Sequence, residues 1–187
     1  QMVEEGGLGD DIDQVPAVGL APEWMSEKAL AIAAYCVASG AYVIFGGALL
    51  PATIDLASPD SAGITIFGAD TFDYCSTLVS SAGDVNGDGF DDVIIGAVYG
   101  DSGGSNSGES YVVFGKSGGF ASALDLSSLN GSTGFRLDGI DAQDWSGFSV
   151  SSAGDVNGDG FDDLIIGAFQ GDASGYDSGE SYVVFGK

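Results

Sequence analysis

The sequence contains no histidine and very few cationic residues. Its 187 residues include 28 Asp and Glu but only four Lys and Arg, which gives a formal net charge of −24. This charge disfavours nucleic acid and anionic membranes as partners and favours cations. Without histidine, and with both cysteines outside the repeated acidic loop described below, the usual nucleophile and base pairs are missing. The sequence therefore predicts a protein that is not an enzyme.

Long unbroken apolar runs and basic N-terminal residues are also missing. The longest apolar stretch, between Ala29 and Leu50, is interrupted by glycines and falls short of the roughly 20 residues that a membrane helix needs. The N-terminus lacks the basic and then apolar layout of a signal peptide. Hydrophobic residues still make up 44% of the chain, and the 32 glycines favour short strands and turns over long helices. We predict a folded all-β protein without a membrane span.

Cysteine is limited to two residues, Cys36 and Cys75. They are consistent with one disulfide in an oxidising compartment, and equally with two buried thiols. A bridge between them would cross-link the part of the chain whose pattern is least regular.

What the sequence has in abundance is repetition. The segment VSSAGDVNGDGFDD at 79–92 occurs again, unchanged, at 150–163, and SGESYVVFGK at 107–116 returns at 178–187. A weaker copy lies upstream, where SGAYVIFGG at 39–47 resembles SGESYVVFGK but no acidic loop precedes it. One unit of about 71 residues is therefore used more than once. We expect its first copy to be degenerate.

Each unit predicts four short strands. GFSVSS at 147–152 alternates, DLIIGAF at 163–169 is a continuous apolar run typical of a strand buried on both faces, and SYVVFG at 181–186 follows a polar loop. GFRLDG at 134–139 is a shorter alternating strand. Four antiparallel strands joined by turns describe a propeller blade. Residues 29–35 suit a helix or a strand, and the repeat register favours a strand.

The repeated acidic loop has the oxygen spacing of a metal site. Oxygen-bearing side chains occupy loop positions one, three, five and nine, and position seven can offer its backbone carbonyl. Two carboxylates 4 Å apart repel by about 4 kcal/mol at an effective dielectric near 20, so three in one loop require a cation. An all-oxygen set suits Ca²⁺ better than Zn²⁺ or Mg²⁺. The predicted ligands of the two Ca²⁺ ions are Asp84, Asn86, Asp88, Phe90 and Asp92 in the first loop and Asp155, Asn157, Asp159, Phe161 and Asp163 in the second.

Two other interpretations of the loop fit its residues less well. Single Asp-Gly or Asn-Gly pairs are usually plain soluble turns, but nine correctly spaced positions present twice favour a calcium loop. An EF-hand needs Glu at position twelve and flanking helices, whereas Ile95 and Ile166 stand there and both flanks resemble strands.

The segment SGFSVSSAGDVNGDGFDDLIIGAF resembles the FG-GAP repeat of the integrin alpha-chain β-propeller and its bacterial relatives. Gly147-Phe148 opens it, and Gly167-Ala168-Phe169 follows its second strand, with Phe in place of proline. The first copy departs from the pattern, because Ser76 stands where the second has Gly147. The resemblance covers 63–187 well and 29–62 loosely. It implies four-stranded blades, with Ca²⁺ held in the hairpin loop between strands one and two.

The predicted organisation is an extended acidic arm at 1–28, a degenerate first repeat at 29–76, a complete repeat at 77–147 and a last repeat at 148–187 that lacks its fourth strand. About two and a half repeats cannot close a propeller, which needs at least four blades. We therefore expect open blades rather than a closed ring. Three assemblies fit: part of a longer propeller, a ring of several chains, or a head-to-tail homopolymer in which the arm completes a neighbouring blade.

The leading functional prediction is a calcium-stabilised structural or adhesion protein, extracellular or on the cell surface, that assembles with other chains. One alternative is a carbohydrate- or protein-binding module that uses loop tips near Tyr99 and Tyr176. Tyr74 and Trp145, at equivalent repeat positions, are expected to pack between blades. Asn130 begins an Asn-Gly-Ser sequon and is a candidate for N-glycosylation.

A weaker alternative is a hydrolase that uses paired carboxylates. The pairs Asp70/Asp73 and Asp141/Asp144 occupy the loops between units. Such pairs are usually solvated acidic turns, and this is the reading we favour here.

Overall fold

The computed structural model describes residues 14–16, 30–32, 40–46, 52–56, 59, 62–75 and 78–187. Regular structure in these residues is β-strand, with one short 3-10 helix at Leu126–Ser128. The strands are β1 (Gln14–Pro16), β2 (Leu30–Ile32), β3 (Gly40–Ile44), β4 (Thr53–Asp55), β5 (Gly63–Phe67), β6 (Leu78–Gly83), β7 (Asp92–Ala97), β8 (Glu109–Val113), β9 (Ala123–Asp125), β10 (Gly134–Asp138), β11 (Ser146–Gly154), β12 (Asp163–Ala168) and β13 (Glu180–Val184).

These strands form three stacked sheets and a small pair. The N-terminal sheet has the order β2-β3-β5-β9, the middle sheet β10-β8-β7-β6 and the C-terminal sheet β11-β12-β13, while β1 pairs with β4. Neighbouring strands within the middle and C-terminal sheets are antiparallel. The predicted all-β class with open, blade-like sheets is confirmed.

The middle sheet is sandwiched between the other two. All six residues of β7 and all five of β8 are buried. Because side chains alternate along a strand, Val93 and Ile95 pack towards the N-terminal sheet, and Ile94 packs towards the C-terminal sheet. The apolar run at 93–98 is thus part of a strand covered on both faces. The equivalent run at 163–169, for which the sequence predicts the same burial, is covered on one face only, because Ile165 of β12 is 40% exposed.

Two strands, β2 and β9, lie at the edges of the N-terminal sheet. Strand β2 forms within the 29–35 segment, which confirms a strand over residues 30–32. Strand β9 leaves its own repeat and pairs in parallel with β5 of the preceding sheet, with Leu124 opposite Ile66. The sequence did not predict this strand, because its three residues carry too short a pattern to identify.

Some predictions fall outside the described residues. Most of the arm at 1–28 does so, apart from residues 14–16, and Cys36 does as well. Cys75 is buried in the cluster between the N-terminal and middle sheets, and its pairing with Cys36 stays a prediction. Within the described ranges, no helix combines the length and hydropathy that crossing a bilayer requires.

Candidate metal centre

Each acidic loop connects the two strands of a β-hairpin. The first joins β6 to β7 and the second joins β11 to β12, and in both the pairing register shifts by one residue where the loop begins. Gly87 and Gly89 have φ of +71° and +88°, and Gly158 and Gly160 have φ of +78° and +96°. These values lie in the region that favours glycine, so the glycines let the chain wrap around its own side-chain oxygens.

The oxygens of the first loop converge on its backbone amides. The amide of Asp88 donates to both Asp84 Oδ1, at 3.0 Å, and Asn86 Oδ1, at 2.9 Å. Gly89 N donates to Asp84 Oδ2, and Phe90 N donates to Asp88 Oδ1, each at 2.9 Å. Side chains one, three and five of the loop therefore turn inward together, as the alternating spacing predicts.

The second loop repeats these hydrogen bonds and adds one, from Gly158 N to Asp155 Oδ1 at 2.7 Å. The amide of Asp159 donates to Asp155 Oδ1 at 3.0 Å and to Asn157 Oδ1 at 2.9 Å. Gly160 N donates to Asp155 Oδ2 at 2.9 Å. Because the loops are identical in sequence and share these hydrogen bonds, they offer the same donor groups.

The aspartates at position nine lie behind the loops. Asp92 is buried, and its two carboxylate oxygens accept hydrogen bonds from Val85 N at 3.0 Å and Gly115 N at 2.8 Å. Asp163 makes the matching bonds with Val156 N and Gly186 N. Burial raises the pKa of Asp92 to about 6, while the two backbone hydrogen bonds oppose that shift. The aspartate at position nine thus connects the loop by a hydrogen bond to the residues that follow β8 or β13, the third strand of the respective repeat.

The structure therefore brings three predicted donor side chains together in each loop and directs the fourth at backbone amides. Among the described residues, no group of three or more Asp, Glu, Cys or His side chains is arranged to hold a metal ion. The ten predicted ligands remain a prediction. Their carboxylate and amide oxygens fit the hard cation Ca²⁺ in kind, and the inward turn of positions one, three and five fits a loop that encloses an ion.

The two loops contact each other, which the sequence did not predict. Asp84 N donates to Asp162 Oδ2 at 2.9 Å, and Asp162 N donates to the carbonyl oxygen of Asp84 at 3.1 Å. The ring of Phe161 covers Gly87, where an added Cβ would lie 2.4 Å from Phe161 Cε1. Asp162 and Phe161 of the second loop thus contact the first loop. The only sequence feature that could have indicated this contact is the additional acidic residue at loop position eight, Asp162, which precedes the predicted ligand Asp163.

A repeated glutamate, buried at Glu109 and half-buried at Glu180, is a second feature missed by sequence reasoning. Glu109 lies in β8 and accepts hydrogen bonds from the Ser102 hydroxyl, from Ser102 N at 3.3 Å and from the Tyr111 hydroxyl. Glu180 in β13 accepts from Ala173 N at 2.7 Å and from the Tyr182 hydroxyl. Each glutamate anchors the polar loop that precedes its strand. The repeated Glu-Ser-Tyr sequence was the available signal.

The carboxylate pairs between units are not solvated turns. Asp73 and Asp144 are buried, whereas Asp70 and Asp141 are exposed. Burial is the main cause that raises the pKa of Asp73 to about 6, and Glu109 and other nearby carboxylates add to it. Burial also raises the pKa of Asp144. The favoured reading of exposed turns is therefore wrong for the second member of each pair, because inter-sheet packing covers it.

Aromatic residues form a continuous series of ring contacts on the side that carries these pairs. Tyr99 contacts Tyr74 and Trp145, with ring centroids 5.1 and 5.4 Å apart, and Phe169 contacts Trp145 and Phe148 at 5.2 and 4.5 Å. Trp145 thus packs between the middle and C-terminal sheets, as expected. Tyr176 lies at a loop tip, 91% exposed.

Asn130, the predicted glycosylation site, is exposed. Its side-chain oxygen accepts from Ser132 N at 3.0 Å and from the Ser132 hydroxyl at 2.8 Å, which holds the sequon in a turn. Its modification stays a prediction.

Both repeats are similar to known proteins. The FG-GAP repeat family matches residues 78–113 and 146–184. Integrin alpha pat-2 of Caenorhabditis elegans is 33% identical over 107 residues, which is 57% of this chain and 8% of the integrin. The Caenorhabditis briggsae protein of the same name is 29% identical over 111 residues. The matched ranges coincide with the hairpins that carry the acidic loops.

The N-terminal part has a different similarity. The Prismane/CO dehydrogenase family matches residues 3–57. Carbon monoxide dehydrogenase 1 of Methanosarcina mazei and of Methanosarcina acetivorans are each 59% identical over 39 residues, which is 21% of this chain and 6% of either enzyme. The sequence pattern did not predict this similarity, which falls on the residues interpreted as an arm (1–28) and a degenerate repeat (29–76).

Proposed function

From the premise that residues 78–113 and 146–184 are FG-GAP repeats like those of integrin alpha chains, we propose that this chain is a calcium-stabilised adhesion-type module. We place it outside the cell or at its surface. Its role is structural and binding rather than catalytic. The chain covers 8% of the integrins and 6% of the dehydrogenases that it matches, so neither whole-protein activity is transferred to it.

The observation that carries the proposal is the convergence of three side-chain oxygens in each loop. Asp84, Asn86 and Asp88, together with the carbonyl of Phe90 and the carboxylate of Asp92, would hold one Ca²⁺. Asp155, Asn157, Asp159, Phe161 and Asp163 would hold the second. A bound cation offsets the mutual repulsion of the loop carboxylates, which otherwise opposes the compact turn. Calcium binding would therefore stabilise both hairpins.

Thermal unfolding with and without calcium tests this function. We expect the melting temperature to rise when the chelated protein is titrated with Ca²⁺ from micromolar to millimolar, the range of sensor sites and extracellular modules. Mg²⁺ at the same concentrations should have a smaller effect, because Mg²⁺ requires a near-ideal octahedron and retains several waters. A melting temperature that does not respond to Ca²⁺ would contradict the proposed role.

We also propose that the chain assembles with other chains. The outer edge of β13 in the C-terminal sheet has no partner strand among the described residues, and an unpaired edge is a template for another strand. Light scattering after size separation measures this directly. A strictly monomeric 18.7 kDa species at all concentrations would contradict homo-oligomerisation.

A second candidate function is binding of a glycan or protein at the aromatic series. Its support is that Tyr74, Phe148 and Phe169 stay 53%, 46% and 44% exposed even while their rings contact neighbours. Exposed ring faces beside carboxylates suit sugar rings and peptide side chains. Glycan-array binding that is lost in Tyr176→Ala and Phe148→Ser, with unfolding unchanged, would support this function. An array without signal would contradict its glycan form.

A further inference from the structure

A cavity of about 350 Å³ lies between the N-terminal and middle sheets. Aliphatic side chains of both sheets form its inner walls, namely Val43 of β3, Ile64 and Ile66 of β5, Val93 of β7 and Val113 of β8. All five belong to the buried core cluster between these sheets, so the cavity reaches into the core. Its volume falls within the range of about 300–1,000 Å³ that is typical of small-molecule sites.

Three phenylalanine rings line the outer part of this cavity. Phe45 and Phe120 are stacked, with ring centroids 6.0 Å apart and an interplanar angle of 18°. Phe90, in the first acidic loop, is 40% exposed. Its counterpart Phe161 covers Gly87 of an acidic loop, but the sequence upstream of β3 contains no acidic loop for Phe90 to cover. Phe90 therefore lines the cavity instead.

One cationic side chain lies at the mouth of the cavity. Lys116 is exposed, and its Nζ lies 4.7 Å from the centroid of the Phe120 ring. Among the described residues the only ion pair joins Arg136 to Asp138, so no described carboxylate pairs with Lys116, although the chain contains 28 Asp and Glu. Asp91 also lines the cavity and does not pair with Lys116. The ammonium group of Lys116 is thus available to an anion.

We propose that this cavity binds a small amphiphile that has an apolar chain and a carboxylate head. The chain would lie between Ile64 and Val93, where buried aliphatic walls remove its surface from water. The carboxylate would pair with Lys116 at the mouth. The chain as a whole repels anions, so the preference for a carboxylate depends on this one local cation. The inference does not depend on calcium binding.

Methyl NMR of the full chain, titrated with sodium octanoate, tests the proposal. We expect the methyl signals of Ile64, Ile66 and Val93 to shift in one saturable titration, while those of the exposed Ile165 do not follow it. Octylammonium has the same chain and the opposite charge, and it should bind at least about fivefold more weakly. Octan-1-ol is the neutral reference.

The carboxylate preference is tested by Lys116→Ala. This change should weaken octanoate binding about threefold to fivefold, as expected for the loss of one exposed ion pair, and should leave octan-1-ol binding unchanged. The matched control is Lys187→Ala, because Lys187 has the same repeat position and does not line this cavity. It should change neither affinity.

The location of the apolar chain is tested by Ile64→Phe. Phe135 has the same repeat position on β10, so a phenylalanine is compatible with this place in the sheet. In the first cavity its ring would occupy the space of the ligand and should abolish binding of both octanoate and octan-1-ol. If this variant does not fold, Lys116→Ala still decides the question, because Lys116 is exposed.

Four results would overturn the proposal. The first is no shift of the cavity methyl signals up to millimolar octanoate, and the second is an equal shift at Ile165, which would indicate general adsorption to apolar surface. The third is equal affinity for octanoate and octylammonium, or an octanoate affinity that Lys116→Ala leaves unchanged. The fourth is a folded Ile64→Phe variant that binds octanoate as tightly as the parent.

Discussion

The middle and C-terminal sheets are built from nearly the same sequence and have different surroundings. Ile94 and Ile165 occupy the same repeat position, yet the first is 0% and the second 40% exposed. Hairpin register and the principal loop hydrogen bonds are the same in both repeats, and each has a glutamate that accepts from a tyrosine hydroxyl. The repeat therefore determines local structure by itself, while burial is determined by the neighbouring sheet. This difference allows matched substitutions to separate local from inter-sheet stabilisation.

The largest contrast is expected at this isoleucine pair. Ile94→Ala removes methyl groups from a fully packed site and should lower the free energy of unfolding by about 2–5 kcal/mol. Ile165→Ala removes the same groups from a half-exposed site and should cost less than about 1 kcal/mol. Urea unfolding of the two variants measures both values. Equal losses would mean that the C-terminal sheet is covered in solution.

The repeated glutamates, buried Glu109 and half-buried Glu180, provide the next contrast. Glu109→Ala leaves the buried hydroxyl of Tyr111 without its acceptor and should cost about 2–3 kcal/mol. Glu180→Ala should cost clearly less, because water reaches Tyr182 and the 173–178 loop. Urea unfolding again gives the comparison, with Glu109→Gln as the control that keeps one acceptor oxygen. A Gln variant as unstable as the Ala variant would point to charge rather than hydrogen bonding.

The hydrogen bond between the two loops, from Asp84 N to Asp162 Oδ2, should have a smaller effect on stability. Asp162→Ala removes the acceptor of Asp84 N and should lower stability by about 1 kcal/mol. Asp162→Asn retains an acceptor oxygen and should recover most of that loss. Amide hydrogen exchange at Asp84 should speed up in the Ala variant and not in the Asn variant. Unchanged exchange in both variants would show that the bond to Asp162 does not protect the Asp84 amide from exchange.

The smallest contrast concerns pH. Burial raises the pKa of Asp73 from 3.8 to about 6, so the folded state binds more protons than the unfolded state between these values. Asp73 therefore contributes a destabilisation that grows as pH rises from about 4 to 6 and is constant above that. Asp73→Asn should gain stability relative to the parent over this window. Asp144→Asn should behave in the same direction, and stability curves that stay parallel from pH 4 to 7 would contradict this account.

Much of the fold could be predicted from the sequence because the evidence is local and repeated. Strands β7, β8, β12 and β13 follow from apolar runs bounded by glycine turns, and the acidic loops follow from oxygen spacing. Each signal depends on residues close together in the chain. The second copy removes the chance that such a pattern is accidental.

The rest depends on contacts between repeats, which short-range patterns do not encode. Strand β9 pairs with β5 across a separation of about 58 residues, and Asp162 bonds to Asp84 across 78 positions. The burial of Asp73 likewise comes from packing of neighbouring elements rather than from its own acidic turn. The N-terminal similarity to carbon monoxide dehydrogenase could not be inferred from composition or spacing at all, since it rests on identity to particular sequences.

Calcium stoichiometry tests the central claim most directly. Isothermal titration calorimetry of the chelator-treated chain with CaCl₂ should give two bound ions per chain, because the two loops are identical in sequence and offer the same donor groups. Asp84→Ala and Asp155→Ala should each remove one ion, and the double variant should bind none. Absence of binding heat into the millimolar range, or two ions still bound by the double variant, would contradict the assignment of the loops as calcium sites.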